Sequence, residues 1–175
     1  MAWSSITAPV TGAVISLTNF GLKVIADLNY LFGERPRSLI VYEGSSNVTT
    51  SSTSFVTINT TNLRITQTIN SGRYRVEVTM TVAHSDTSSG SGDELGGIMA
   101  FDVLLDSTTR AGGTNGVTKK RQGNNGSNQS TITYVAEFTG LSVGSHTFDP
   151  VVKTSGATMK VFNNAYPITV RGVEF

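Results

Sequence analysis

Between positions 73 and 84 apolar and polar residues alternate with period two. Tyr74, Val76, Val78, Met80 and Val82 fall on one side, and Arg73, Arg75, Glu77, Thr79 and Thr81 on the other. In an extended chain successive side chains face opposite ways, so the first set is predicted to line a core. Residues 98–105 are almost continuously apolar, which predicts a central strand covered on both faces. A third segment, 144–154, completes the clearest signals. Candidate strands run over 38–43, 54–59, 63–69, 74–84, 98–106, 131–138, 146–154, 158–162 and 168–175. Eight or nine short strands, closely spaced, predict an all-β fold, an antiparallel β-sandwich or barrel. Asn70-Ser71-Gly72 is a turn signal ahead of the strand that contains Tyr74.

The leading residues follow a different pattern. Residues 1–16 are mostly small and apolar without a period, and read as an extended arm. Residues 17–32 are predicted to be helical. Ser16 caps the first turn, Gly33 closes the last, and Pro36 forbids continuation. Leu17, Val24, Leu28 and Leu31 form one stripe, with Phe20, Gly21 and Ile25 beside it. Gly21 weakens the helix by about 1 kcal/mol relative to Ala, so it needs a partner. That partner is either its own sandwich or other copies around an oligomer axis; two heptads are too few for a free-standing coiled coil. The chain is therefore divided into a leading arm and helix, 1–37, and a β region, 38–175.

Composition narrows the function. Charged residues are 14% of the chain and the net charge is +1. Such a surface does not draw polyanions from a distance, which argues against nucleic acid and anionic membrane as partners. There are 20 serines, 25 threonines and 18 glycines, a mixture suited to pleated surfaces and many turns. Cysteine is absent, which excludes disulfides and thiolate metal sites. No apolar run is long enough to span a membrane as a helix, and residues 1–17 lack the basic start of a signal peptide. Two polar, Gly-rich stretches, 85–97 and 107–130, are long enough for functional or mobile loops, with 116–121 a candidate short strand inside the second.

Reactive constellations are sparse. His84 and His146 are the only histidines, and no spacing around them resembles a zinc signature. Asp86, Asp93 and Glu94 lack the acidic alternation of a dedicated calcium loop. Ser, His and Asp all occur, so a hydrolytic triad is not excluded by counting, but no G-x-S-x-G elbow is present. Asp102 and Asp106 lie about 13 Å apart along a strand, too far for retaining glycoside cleavage. Lys119-Lys120-Arg121 is the only basic run, and no aromatics interleave it. Asn47, Asn59, Asn125 and Asn128 begin N-x-S/T triplets, which a Thr- and Asn-rich chain contains by chance. The residues point away from an enzyme and imply no metal or cofactor.

The first fifth of the chain, MAWSSITAPVTGAVISLTNFGLKVIADLNYL, resembles the start of many small bacteriophage virion proteins. The residues that carry the likeness are Trp3, Pro9, Gly12, Val14 and Ser16, then Asp27, Leu28, Asn29, Tyr30 and Leu31. Two features depart from that pattern: Leu28-Asn29 inverts the usual order, and Thr11 stands where a Trp is usual. FDVLLD (101–106) and LSVGSHTFDPVVKTSGATMKV (141–161) are similar to paired strands of the jelly-roll heads joined to such arms. The resemblance implies attachment through the arm and helix, with a jelly-roll β-sandwich displayed outward. The expected partners are other virion proteins and further copies of the chain, as a trimer, with host surface glycan or protein a candidate for the loops. Trp3, Ile6, Val10, Val14 and Ile15 are the expected attachment residues, and Leu17, Val24, Leu28 and Leu31 the expected oligomer contacts. The expected location is the particle surface of a capsid decoration protein or short head fibre, or else a tail fibre.

Overall fold

A computed structural model describes residues 37–85, 98–121, 129–155 and 158–175, with backbone alone for His84, Ser85 and Arg121. The expected arm, helix, attachment residues and oligomer contacts lie outside the described residues. Twelve strands fill the rest: β1 (Arg37–Tyr42), β2 (Val48–Thr50), β3 (Val56–Thr57), β4 (Ile65–Ile69), β5 (Arg73–Ser85) and β6 (Ile98–Leu105). They are followed by β7 (Thr109–Arg110), β8 (Thr118–Arg121), β9 (Ser130–Thr139), β10 (Gly144–Ser155), β11 (Thr158–Phe162) and β12 (Ile168–Glu174). No helix occurs among the described residues.

The strands form two antiparallel sheets. In the first, β1 pairs β12 and β2 pairs β11; β12 and β11 both flank β5, and β9 lies beyond. In the second, β3 and β4 both flank β10, β6 follows, and β7 and β8 both flank β6. Collinear pairs count as single columns. Numbered along the chain, the columns then run 1-8-3-6 in one sheet and 2-7-4-5 in the other, which is the strand order of a jelly roll.

The alternation read in β5 holds. Tyr74, Val76, Val78, Met80 and Val82 are fully buried, and Arg73 and Arg75 are exposed. From the second sheet Met99, Phe101, Val103, Phe148 and Val152 meet them in one cluster. Phe148 stacks on Tyr74 at 4.6 Å between ring centroids and tilts against Phe138 at 5.3 Å. Each buried side chain of this size contributes roughly 1.5–3 kcal/mol of transfer free energy, and together they hold the sheets face to face.

The outer face of β6 is covered too, as its continuous apolar run requires. Ala100 and Asp102 point away from the core, yet they are 2% and 0% exposed. Residues 110–117 fold back over them. Ala111 N–H donates to Val103 O and Val117 N–H to Phe101 O, while Gly112 N–H donates to the Asp102 carboxylate. Gly112 is required here, because a Cβ would lie 2.1 Å from the Gly116 carbonyl carbon. The expected loop over 107–130 is thus corrected in part: β7 and β8 pair with β6, and 110–117 are strapped to the sheet. The candidate strand over 54–59 shrinks to β3. Asn59 Oδ1 accepts the Thr61 and Asn62 N–H groups in a tight turn that ends it, and Leu63 then returns to the core.

Register gives the sandwich two distinct ends. Ser85 pairs Thr158, while Ile98 pairs both Ser155 and Arg121. The connections 86–97, 122–128 and 156–157 therefore all depart from one end. At the other end Arg37 pairs Val173, Arg73 pairs Thr139 and Gly144 pairs Ile69. The chain enters the sandwich at that second end.

Candidate functional site

The second end carries the one histidine whose ring is described. Asp106 and Ser107 both adopt positive φ, 47° and 59°, the conformation of a tight hairpin turn. The turn leads from β6 into β7 and is closed by Thr108 N–H donating to Leu105 O. β10 holds it in place. Thr147 N–H donates to Asp106 Oδ1 at 2.8 Å, and His146 Nδ1–H donates to Asp106 Oδ2 at 2.7 Å. The other ring nitrogen, Nε2, donates to the Ser142 carbonyl at 3.0 Å. The Asp106 bond, then the Ser142 carbonyl, raise the His146 pKa against desolvation. Burial pushes Asp106 up, but the Thr147 N–H and His146 outweigh it and leave its pKa lowered.

Ser142 Oγ lies 3.4 Å from His146 Nε2, so Ser, His and Asp do converge as a triad would. The geometry is not that of a working triad. A base needs a lone pair on Nε2 aimed at the hydroxyl. Here Nε2 faces a closer backbone carbonyl, which only accepts, so its lone pair would meet another lone pair. His146 joins the hairpin at 106–108 to the connection at 140–143. Nothing at the sequence level links Asp106, Ser142 and His146, and this clasp was missed there.

A second polar cluster lies on the outer face of the second sheet. Arg64 Nε and Nη2 donate to Asp149 Oδ1 and Oδ2, both at 2.8 Å. Burial raises the Asp102 pKa, opposed by the Gly112 and Val103 N–H bonds. Arg110 and Lys153 each stand over the Phe55 ring, 4.5 and 4.6 Å from its centroid. Lys153 also donates to Thr114 O and Lys119 to Asn115 Oδ1. Arg110 and Lys119, with Lys153 from β10, therefore brace the strap 110–117.

The outer face of the first sheet differs: its side chains on β1 and β9 are exposed, although Thr81 and Ala83 on β5 are buried. Thr79 and Thr133 share a hydroxyl bond at 2.9 Å, and Thr81 and Thr131 one at 3.0 Å. Arg75 pairs Glu137 at 2.7 Å. These groups satisfy one another sideways, so a partner could cover them at small polar cost. Exposed apolar side chains flank them: Leu39 (67%) and Val41 (62%) on β1, and Val135 (38%) on β9. This face is the best-formed candidate docking surface in the described chain.

The remaining sequence candidates fall as follows. His84 sits on β5 opposite Met159. Asp86, Asp93 and Glu94 lie outside the described residues. Asp102 and Asp106 anchor separate turns and share no site. Among the described residues no group of three His, Cys, Asp or Glu side chains is placed to hold a metal ion, and no helix is long and apolar enough to cross a membrane.

No family model and no curated protein matches this sequence. Solved structures similar to the chain include the Gt strain of infectious bursal disease virus. That likeness has a TM-score of 0.42 and 10% identity, covering 80% of this chain and 37% of the other. The T13 particle of the same virus gives 0.41 and 11% identity, covering 81% and 36%. The D431N mutant of its VP2 protein, in T=1 particles, gives 0.40 and 10%, covering 79% and 36%. The chain spans little more than a third of the length of these proteins. The jelly-roll assignment stands on the strand order and register described above.

Proposed function

We propose that this protein is a non-enzymatic structural component of a bacteriophage virion, a capsid decoration protein or short head fibre. Residues 1–37 attach it to the shell and the jelly roll is displayed outward. The observation that carries this reading is the polarity of the sandwich: the chain enters at one end, and three connections depart from the other. The resemblance of the leading residues to small virion proteins supports it. In this reading Trp3, Ile6, Val10, Val14 and Ile15 bury apolar area between shell subunits, at roughly 25 cal/mol per Å². Leu17, Val24, Leu28 and Leu31 hold copies together as a trimer, and repeating each weak contact around the axis raises avidity.

The alternative is a tail fibre or receptor-binding tip. The grouping of the connections 86–97, 122–128 and 156–157 at the end away from Arg37 favours it, since such a group would meet a host glycan or protein first. Electron microscopy of particles with and without the protein separates the two, by density on the head or on the tail. Deleting residues 1–16 tests the shared premise. The truncated protein is expected to fold and to lose attachment; decoration at full occupancy overturns the arm as the anchor.

A further inference from the structure

The outer face of the first sheet reads as its own complement. Strand register places Leu39, Arg171, Glu77 and Val135 in one row across β1, β12, β5 and β9. Reversed, the row sets Leu39 on Val135 and Arg171 on Glu77, twice over. One row lies Arg37, Val173, Arg75 and Glu137. Reversed, it sets Arg37 on the Glu137 that Arg75 already pairs, and the aliphatic stem of Arg75 on Val173. The row on the other side is Val41, Thr169, Thr79 and Thr133, which reverses into apolar and methyl contacts. A two-fold axis parallel to the strands performs this reversal on every row at once. A two-fold axis across the strands through the Leu39 row would instead set Arg171 on Arg171 and Glu77 on Glu77.

We propose that a second copy of this chain docks on this face, sheet against sheet, about a two-fold axis parallel to the strands. A shallow depression of about 420 Å³, lined by Arg37, Ser38, Leu39, Glu77, Thr169 and Arg171, lies on the β1 side. The rotation brings the partner's β9 edge, with Val135, above it. Four strands at about 4.8 Å spacing, over about 25 Å of length, give on the order of 500 Å² per copy. A standard stable interface buries about 800 Å² per partner. The pair is therefore weak in dilute solution and forms where copies are held at high local concentration, as on an assembled particle. The contact uses only residues from Arg37 onward.

Sedimentation equilibrium of the full chain across the micromolar range tests it. The mean mass is expected to rise with concentration, towards double where the starting unit is one chain and beyond double where it is three, since each copy then offers its own face. Glu77→Arg, on the outer face of the central strand β5, is expected to weaken the association at least about tenfold, because like charges then face each other twice, with a thermal melt checking that the variant is folded at the temperature of measurement. Glu77→Arg combined with Arg171→Glu restores it, since the swapped row is still its own complement. The chain has no cysteine, so Leu39→Cys with Val135→Cys is expected to join two chains through a short bis-maleimide, and Thr109→Cys is not. A mass indifferent to Glu77→Arg, a double swap that fails to restore association, or no cross-link overturns the proposal. A different protein as the natural occupant would appear as the first of these.

Discussion

His146 donates one ring N–H to Asp106 at 2.7 Å and the other to the Ser142 carbonyl at 3.0 Å, so the clasp is complete only when the imidazole carries both protons. The raised His146 pKa means that this group adds stability below its ordinary value of 6.5 and loses it as pH climbs through the folded value. Asp106 runs the other way. Its lowered pKa adds stability above 3.8, lost as pH falls through the folded value. The clasp is therefore whole between about pH 4 and 6.5. The melting temperature is expected to fall as pH rises above 6.5 in the wild type and to fall less in His146→Gln. Equal slopes in thermal melts of the two proteins would show that the clasp does not govern this range.

Asp102 holds the strap 110–117 by accepting Gly112 N–H at 3.0 and 3.1 Å and Val103 N–H at 2.8 Å. Asp102→Ala leaves these donors unpaired and costs about 1–3 kcal/mol. Trypsin is expected to cleave the variant after Arg110 or Lys119 under conditions in which the wild type resists. Retained resistance, read by mass spectrometry, would assign the strap to other contacts.

Gly172 packs directly under Tyr74: a Cβ there would lie 2.0 Å from the phenol oxygen and 2.6 Å from Cζ. The neighbours are strands on both sides, so Gly172→Ala is expected to cost about 1–3 kcal/mol in chemical denaturation. Tyr74 Oη is buried beside the Ser38 hydroxyl and makes no well-formed hydrogen bond among the described residues. Tyr74→Phe removes an unpaired polar atom, so it is expected to be neutral or stabilising and to recover part of the Gly172→Ala loss. A large loss from Tyr74→Phe alone would reveal a bond to that hydroxyl.

Phe148 touches both Tyr74 and Phe138 and is fully buried. Phe148→Ala opens a cavity between the sheets and is expected to cost about 3–5 kcal/mol, measured by urea unfolding. A cost under about 1 kcal/mol would mean that the core collapses around the gap.

The long strands were legible because each buries a face along its whole length. β5 shows period two, β6 a solid apolar run, and β11 matches its expected span of 158–162. β2 and β7 are absent from the sequence reading and β8 falls within the candidate strand 116–121, because two to four residues in a Thr-rich stretch carry no period. Only tertiary contact reveals them, as when Phe101 and Leu105 recruit Thr118 and Thr109. Asp102 and Asp106 are too far apart in sequence geometry for a carboxylate pair, and they are two unrelated anchors, whose partners Gly112 and Thr147 lie 10 and 41 residues further along the chain. The His146 clasp was hidden for the same reason. The attachment and oligomer residues of 1–31 rest on the sequence reading and its resemblance alone.

The separation of the two ends has an engineering consequence. β5 runs for 13 residues, roughly 43 Å at about 3.3 Å per residue, so the sandwich acts as a rigid spacer of set height. Peptides grafted into 86–97 or 122–128 would stand that far above the point where the backbone passes into β1. Cargo could then be changed at the top while the footing stays the same.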